Sequence, residues 1–453
     1  MKLAYDIKDK PKFGQLLIFA FQQLLAILAA TIAVPAIVGN GMSQSAALFG
    51  AGIGTIVYLL FTKFRSPVFL GSSFAFLGSM FAAFAGAVSA EAGFAGIILG
   101  AIFAGLVYVV IAIIVKVAGV KWIDKIMPAV VIGPTVSIIG LSLAGNAVGD
   151  MLKFAGNEGS GYIMGTHGWI GFICALVTLF VVMICSVFGK KMTKLIPFII
   201  GILAGYAVAA IFTVIGTKTN NPDLIIIDFS VFAGMKFFAV PDFTFIKAAK
   251  GLSQINGTYI ASIAVAYVPV AFVVFAEHIA DHKNLSSVIE KDLLEDPGLH
   301  RTLLGDGIGS MAGAFFGGCP NTTYGESVGC VAITGNASIV TILCTAVMSI
   351  VISFFGPFVT FLSTIPACVM GGVCVTLYGF IAVSGLKMIQ KVDLDQNKNL
   401  FVVAVILISG IGGMTLNIGK VTLTEIACAL ILGIITNVIL SKKKDDVVEE
   451  AAE

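Results

Sequence analysis

The feature that most limits the fold of this chain is a succession of apolar stretches, each close to the ~20 residues that a helix needs to cross a bilayer. They follow one another along nearly all of the 453 residues. Only 11% of the residues are charged, against about 25% in soluble domains. A chain of this composition cannot cover a water-soluble surface, so we predict an all-α polytopic membrane protein.

The apolar stretches predict fourteen transmembrane segments. Their approximate bounds are 15–36, 45–61, 67–84, 94–115, 127–147, 169–188, 196–216, 260–283, 301–317, 320–334, 337–356, 358–384, 399–413 and 421–440. Fourteen divides into seven plus seven, and a tandem unit with an odd number of spans must be inverted in the membrane. The sequence therefore predicts 14 segments in a 7+7 inverted repeat.

The distribution of charge predicts the orientation of the chain. Most Lys and Arg residues fall in loops that are cytoplasmic when both termini are cytoplasmic, as the positive-inside rule requires. The formal net charge is only +2, which argues against nucleic acid as a partner. We expect an integral membrane protein whose termini both face the cytoplasm.

The third segment of each predicted half is interrupted. Residues 67–74 and 320–326 each begin with Pro and a few extended-type residues, followed by Gly and a short helix. Unwound backbone is tolerated at membrane depth only where it lines a cavity. We therefore predict short strands in segments 3 and 10, followed by two helix N-termini that face a ligand near the midplane.

Few ionisable side chains lie inside the predicted segments, and each costs about 2.5 to 3.5 kcal/mol at a helix centre. Glu277 and Asp281 are four residues apart and share a helix face, which can point toward Glu326 in the broken segment 10. Carboxylates that crowd together repel one another when ionised, so one of them can hold a proton. Asp306 has an open role, either in this site or in a structural polar network.

His278 and His282 also have the i, i+4 spacing of a metal site. A metalloprotease helix needs Glu directly after the first His, whereas here Glu277 precedes it, and no third ligand is evident. We expect no metal and no cofactor. His282 is instead a candidate for a proton path, together with Glu277, Glu326 and Asp281.

Glycines recur every four residues in segment 9, at Gly305, Gly309, Gly313 and Gly317. Small residues at this spacing make a flat helix face, which is typical of close helix packing in membranes rather than of ligand contact. The pair Gly50 and Gly54 in segment 2 indicates the same.

The segment from Tyr324 to Gly335 (YGESVGCVAITG) resembles the signature of the nucleobase/ascorbate transporter family. Further similar segments are LGSSFAF at 70–76, AEH at 276–278, KDLL at 291–294 and DPGLHR at 296–301. The similarity extends over nearly the whole chain and is greatest to the bacterial uracil permeases. It implies a protein of the bacterial inner membrane.

The resemblance implies two domains. A core domain would comprise 15–116 (spans 1–4) and 259–356 (spans 8–11). A gate domain would comprise 117–258 (spans 5–7) and 357–440 (spans 12–14). It further implies import of a nucleobase by proton symport with alternating access, and it allows a homodimer formed through the gate domain.

The resemblance also implies the substrate site. Glu277 and Glu326 would bind the ring N–H groups and a carbonyl, and the backbone at Phe74 and Gly325 would meet the ring oxygens. Ala30 and Tyr324 would line the pocket, and Tyr378 would close it from the gate domain. These seven residues are the predicted binding site.

Two substrate classes remain open. Glu326 and the run Pro320–Gly325 favour uracil, whereas Asp281 and Asp306 are more like the branch that carries xanthine and other purines. Ser327 also replaces an Asn of the signature, and Gln22–Gln23 stands where the family commonly has Gln-His.

Two other protein classes fit the sequence less well. An anion transporter of the same fold is a remote alternative, since two carboxylates in the site would repel its substrate. A membrane enzyme is not expected, because the sequence shows no nucleophile, base and orienting group in a recognisable arrangement.

Overall fold

Most of the described chain is helical, because a segment in a bilayer must satisfy its backbone hydrogen bonds internally. The structure, a computed structural model, describes residues 3–119, 128–158, 161–190, 192–418 and 421–441. The start of predicted segment 5, at residue 127, lies outside the described residues. Within the described part, three small antiparallel sheets of two strands accompany the helices.

The elements of the first half alternate long helices with short connecting pieces. They are α1 Phe13–Val38, α2 Gln44–Phe61, β1 Leu70–Ser72, a 3-10 turn Phe74–Phe76, α3 Leu77–Ala85, α4 Ala90–Ala118, α5 Ala129–Ser142, α6 Ala144–Met151, β2 Gly156–Glu158, β3 Gly161–Ile163, α7 Thr166–Phe188, α8 Met192–Leu195, α9 Pro197–Thr219, 3-10 turns Pro222–Leu224, Phe229–Gly234 and Leu252–Gln254, and α10 Thr244–Gly251.

The second half begins with the longest helix in the described part of the chain. Its elements are α11 Gly257–Ile289, a π turn Leu294–Gly298, α12 Leu299–Gly317, β4 Asn321–Thr323, α13 Gly325–Thr334, α14 Ile339–Ile352, α15 Gly356–Ser363, α16 Ala367–Ile389, α17 Asn397–Ile411, β5 Leu416–Ile418, β6 Val421–Leu423 and α18 Glu425–Ser441.

Eight helical stretches in the described residues are long and apolar enough to cross a membrane. Four further apolar helices are shorter: Phe74–Ala85, α14, α17 and α18. The expectation of a mostly helical, polytopic membrane protein is confirmed. Predicted segment 12, at 358–384, is instead divided into α15 and α16. Pro366 explains the division, since the residue before a proline is disfavoured in helical conformation.

The glycine face of α12 packs directly on α2. A Cβ atom on Gly50 would overlap the carbonyl oxygen of Gly313, and one on Gly317 would be 2.6 Å from that of Ala46. Gly54 and Gly309 approach each other in the same way. The glycines therefore serve helix packing, as predicted, and bring two backbones closer than side chains would permit.

The two broken segments meet through their strands. β1 pairs antiparallel with β4, and Gly71 lies opposite Thr322. Each strand leads, within two residues, into a helical turn. The strands predicted in segments 3 and 10 are thus present, and their pairing holds the two following helix starts side by side.

Candidate functional site

A cavity of about 380 Å³ lies where the two broken segments meet α11. One part of its wall comes from the broken segments and α11, namely Ser73, Phe74, Ala75, Glu277, Ala280, Asp281, Thr322, Thr323, Tyr324, Gly325 and Glu326. The other part comes from α5, α9 and α16, namely Val136, Ile139, Phe198, Leu377, Phe380, Ile381, Ser384 and Met388. Its volume is in the range of small-molecule sites.

Both helix starts at the cavity lack a side-chain cap. In these described segments, neither Ser73 before the first turn nor Tyr324 before α13 accepts a hydrogen bond on its side chain from the following backbone. The first N–H groups of a helix have no partner inside the helix. They can therefore donate to oxygens of a ligand, and the helix dipole adds a partial positive charge there.

Three carboxylates face the cavity, all of them half-buried: Glu277, Asp281 and Glu326. Thr323 donates a hydrogen bond of 2.7 Å to Asp281, which fixes this carboxylate against β4. Gly325 is exposed, so solvent reaches the cavity. The arrangement combines acceptors on one helix with N–H donors on another and can hold a small ring that carries both kinds of group.

Buried hydrogen bonds hold the second broken segment in place. Ser327 accepts from Gln23 at 2.6 Å and from the backbone N–H of Phe69 at 3.0 Å. The hydroxyl of Tyr324 donates to the carbonyl of Ser72 at 2.8 Å. Ser327 departs from the signature and Gln23 from the residue common in the family at its position; the two are hydrogen-bonded and join α13 to α1 and to the chain before β1.

The structure brings together six of the predicted site residues and leaves three outside the wall. Glu277, Asp281, Glu326, Phe74, Gly325 and Tyr324 line the cavity, whereas Ala30, Tyr378 and His282 do not. Ala30 is buried within α1. Tyr378 packs edge-on behind the ring of Phe74, with centroids 5.9 Å apart.

The two histidines of α11 point away from the cavity into a second polar cluster. His278 contacts Asp306 through Nδ1 at 2.7 Å and Thr302 through Nε2 at 3.0 Å. The Nδ1 of His282 lies 2.8 Å from the carbonyl of His278, so it must donate, and its Nε2 lies 2.7 Å from the hydroxyl of Tyr58. A helical step of one residue separates this face from that of Glu277 and Asp281.

The sequence reasoning missed the partners of this cluster and the apolar wall of the cavity. Nothing in the sequence joins His278 to Asp306, which is 28 residues away. The signal that was available is the helical period: Glu277 and Asp281 share one face, while His278 and His282 share the next.

Outside the spanning segments, the N-terminal residues are bound to the end of the second broken segment. Ala4 donates to the carbonyl of Gly335 at 2.8 Å, and Ala337 donates to that of Tyr5 at 2.9 Å. Asp6 forms an ion pair with Lys291. The hydrogen bond from Lys291, with one from the N–H of Ile7, holds the pKa of Asp6 below its ordinary value.

Comparison with known proteins decides the family. The model of a family described as "Permease family" matches residues 14–419. The chain is 40% identical to the uracil permease of Bacillus caldolyticus over 442 residues, which are 97% of this chain and 95% of that protein. The chain belongs to the nucleobase/ascorbate transporter family. Its membership confirms the resemblance seen in the sequence, and with it the expectation of a transporter rather than an enzyme.

Other members of the nucleobase/ascorbate transporter family are similarly close. The uracil permease of Bacillus subtilis (strain 168) is 37% identical, with 98% of this chain and 97% of that protein covered. The uracil permease of Escherichia coli (strain K12) is 33% identical, with 95% of this chain and 92% of that protein covered.

Solved structures share the fold at low sequence identity. The transmembrane domain of the cyanobacterial bicarbonate transporter BicA matches with a TM-score of 0.58 at 19% identity, over 96% of this chain and all of that one. The murine anion transporter Slc26a9 matches with a TM-score of 0.65 at 13% identity, over 96% of this chain and 69% of that one. These likenesses concern the fold alone.

Proposed function

We propose that this transporter imports uracil together with protons by alternating access. The observation that carries the proposal is the cavity in which Glu277, Asp281 and Glu326 face two uncapped helix starts. The similarity to uracil permeases, at 33–40% identity, supports this substrate. The remote alternative of anion transport is disfavoured, because three carboxylates would repel an anion.

The chemistry of the cavity suits a pyrimidine-dione. The edge of uracil alternates N–H donors with C=O acceptors, which carboxylates and helix N–H groups complement. In the proposal, Glu277 and Glu326 accept from the ring N–H groups, and the backbone at Phe74 and Gly325 donates to ring oxygens. A base that leaves one of these buried groups unpaired would be rejected.

The remaining predicted residues position other parts of the site and do not bind the polar groups of the substrate. Tyr324 lines the cavity and, by its bond to Ser72, fixes the first turn of α13. Ala30 provides the tightly packed surface of α1 behind the site. Tyr378 supports the ring of Phe74 from α16, so movement of α16 would be transmitted to the substrate.

Proton coupling in this proposal uses Glu277, Glu326, Asp281 and His282. Protonation of one cavity carboxylate lowers the repulsion among the three and favours substrate binding. His282, next to Asp281 but bound to Tyr58, would connect the site with the polar cluster behind it.

The architecture that we propose is the 7+7 inverted repeat, with a core domain (15–116 and 259–356) that moves against a gate domain (117–258 and 357–440). It is supported by the pairing of β1 with β4 and by a cavity wall shared between the two sets of helices. Phe198, near the start of α9, and Met388, near the end of α16, belong to this wall. With cytoplasmic termini, the cavity then extends toward the cytoplasm, as in an inward-facing state, and a dimer would form through the gate domain.

Uptake of labelled uracil into proteoliposomes tests the proposal. Glu277→Gln and Glu326→Gln keep the size of each side chain and remove its charge, so we expect both to abolish uptake while the protein still inserts. Wild-type uptake by both variants would remove the site assignment. Uptake that is indifferent to a proton gradient and to a protonophore would remove the coupling.

Xanthine or another purine is the second candidate, favoured by Asp281 beside Thr323 and by Asp306 behind it. A competition panel of uracil, thymine, xanthine, hypoxanthine and sulfate decides between the candidates. We expect uracil to compete most strongly. Stronger competition by xanthine would assign the purine branch, and competition by sulfate would assign anion transport.

A further inference from the structure

A small closed chamber lies behind β4, between α4 and α12. Its volume is about 10 Å³, and its wall includes Phe76, Ala104, Tyr108, Asp306, Ser310 and Thr322. Thr322 also lines the large cavity. Thr322, in the second broken segment, therefore belongs to the walls of both the chamber and the substrate cavity.

Two buried polar atoms of the chamber wall lack a hydrogen-bond partner within the described residues: Oδ1 of Asp306 and the hydroxyl of Tyr108. Asp306 is 1% exposed and Tyr108 is 4% exposed. The other carboxylate oxygen of Asp306 is bound to His278 at 2.7 Å. A buried polar atom without a partner destabilises the folded protein, and two such atoms in the wall of one chamber point to a shared ligand.

The size and chemistry of the chamber select water as that ligand. About 10 Å³ is close to the space for one water molecule, which makes two to four hydrogen bonds when buried. A hard cation such as Ca²⁺ or Mg²⁺ requires about six oxygen ligands. In the part of the chain that the structure describes, the chamber wall offers two unpartnered oxygens, beside the apolar side chains of Phe76 and Ala104.

We propose that the chamber binds one water molecule, which accepts from Tyr108 and donates to Asp306, and that protons pass through it between the substrate cavity and Asp306. Thr322, which faces both spaces, is the crossing point. In this relay each oxygen gives up one proton as it receives another, so the net result is one proton moved from the cavity to Oδ1 of Asp306. The role rests on the proton coupling proposed above, whereas the water site does not.

Among the described residues, the titratable groups around Asp306 come from three other helices. They are Tyr58 on α2, Tyr108 on α4, and Glu277, His278 and Asp281 on α11. His278 contacts Oδ2 of Asp306, the oxygen that is not the chamber's unpartnered one, and does not itself line the chamber. A proton that reaches Asp306 thus ends beside an imidazole and no longer faces the substrate carboxylates directly.

A density map of the full chain that resolves ordered solvent tests the water site. We expect a solvent peak about 2.7 to 3.0 Å from both Oδ1 of Asp306 and the hydroxyl of Tyr108. Ala104→Val adds two methyl groups to the chamber wall and should remove this peak. Absence of the peak from the wild-type map would overturn the water site.

Joint measurement of substrate and proton influx in proteoliposomes tests the relay. Tyr108→Phe removes one partner of the water but keeps the ring, and Thr322→Val removes the hydroxyl at the crossing point. We expect Tyr108→Phe, which lies outside the wall of the substrate cavity, to change uracil binding less than about threefold. Uptake driven by a proton gradient should fall about tenfold or more in both variants. Tyr267→Phe is the matched control, since the buried hydroxyl of Tyr267 also lacks a partner among the described residues but does not line the chamber.

Three results would overturn the relay. The first is unchanged proton-driven uptake in the chamber variants, and the second is an equal loss of proton-driven uptake in Tyr267→Phe. The third is wild-type uptake that depends on Na⁺ at constant pH and that loses this dependence in Asp306→Asn. Lack of uracil transport by the wild-type protein would count against the proposed function instead, and the density map would still decide the water site.

Discussion

The two broken segments have the same plan but different chemistry. Each is a three-residue strand followed by an uncapped helical turn that enters the cavity. The third residue after the strand is Ala75 in the first segment and Glu326 in the second. The first segment therefore contributes shape, an aromatic ring and backbone donors, and the second contributes a carboxylate as well.

The two segments also differ in the hydrogen bonds that hold them in place, and the second has more of them. Thr55 holds the first by accepting from the N–H of Leu70 at 2.9 Å and donating to its carbonyl at 3.2 Å. The second is held by several elements, since Asn321 donates to Gly50 at 3.1 Å and Ser327 binds two partners. The segment that carries the charge is the one with more buried polar bonds, as precise placement of a carboxylate requires.

The largest effect should come from removing the charge that only the second segment has. A hydrogen bond to a charged group contributes about 1.5–3 kcal/mol, so Glu326→Gln should weaken uracil binding roughly ten- to hundredfold. Phe74→Leu removes an aromatic contact of about 0.5–1.5 kcal/mol, roughly a two- to tenfold change. Binding to purified protein measures both, and a greater loss in Phe74→Leu would reverse the division of roles.

One glycine in each broken segment distinguishes an effect on folding from an effect on the substrate site. A Cβ atom on Gly71 in β1 would overlap the ring of Tyr324, whereas one on Gly325 would meet only Asp281, at 3.9 Å. Gly71→Ala should therefore cost about 1–3 kcal/mol of stability. Gly325→Ala should leave the melting temperature in detergent unchanged and alter substrate affinity. Equal melting temperatures for both variants would contradict the packing around Tyr324.

The hydroxyl groups of Thr55 and Ser327 hold the two broken segments in place. Their removal should lower stability about as much as Gly71→Ala does, or somewhat less. Thr55→Val and Ser327→Ala each remove two hydrogen bonds to a broken segment, at about 1 kcal/mol per bond. Unfolding of each variant measures the cost. We expect Ser327→Ala to lower substrate affinity too, because it loosens the turn that carries Glu326, whereas Thr55→Val should affect stability alone. Loss of affinity in both would indicate that the strands, not the individual turns, position the site.

Much of this architecture could be predicted from the sequence, because hydropathy and Pro-Gly punctuation act locally. They gave the positions of the apolar segments, the interruptions at residues 67–74 and 320–326, and the close packing of Gly50 and Gly54. Pro366 was available as a signal for the break between α15 and α16 but was outweighed by the long apolar run around it.

The wall of the cavity was less accessible to such reasoning. α16 is apolar on most of its surface, so its sequence does not reveal that Leu377 and Ile381 face the cavity while Tyr378 packs behind Phe74. The rotation of such a helix is set by packing with its neighbours. His282 was assigned with Asp281 although one residue along a helix turns the side chain by about 100°, which explains its position in the cluster around Tyr58.

The smallest effect should come from the ion pair of Asp6 and Lys291, which helps to hold the N-terminal residues on the end of the second broken segment. Both side chains are nearly half exposed, at 44% and 48%, and such pairs contribute about 0–1 kcal/mol. Because the pKa of Asp6 is lowered in the folded protein, its contribution is present at neutral pH and is lost as the pH falls through that lowered value.

Asp6→Asn should therefore lower the melting temperature slightly at neutral pH and leave it unchanged in acid, where Asp6 is protonated in both the folded and the unfolded chain. Lys291→Gln should have the same effect, and the double variant should add nothing to it, since both changes remove one interaction. Additive losses would mean that the backbone pairing of Tyr5 with residues 335–337, rather than the ion pair, secures the end of α13. In that case the charge-bearing segment would be anchored by main-chain hydrogen bonds alone, independent of pH.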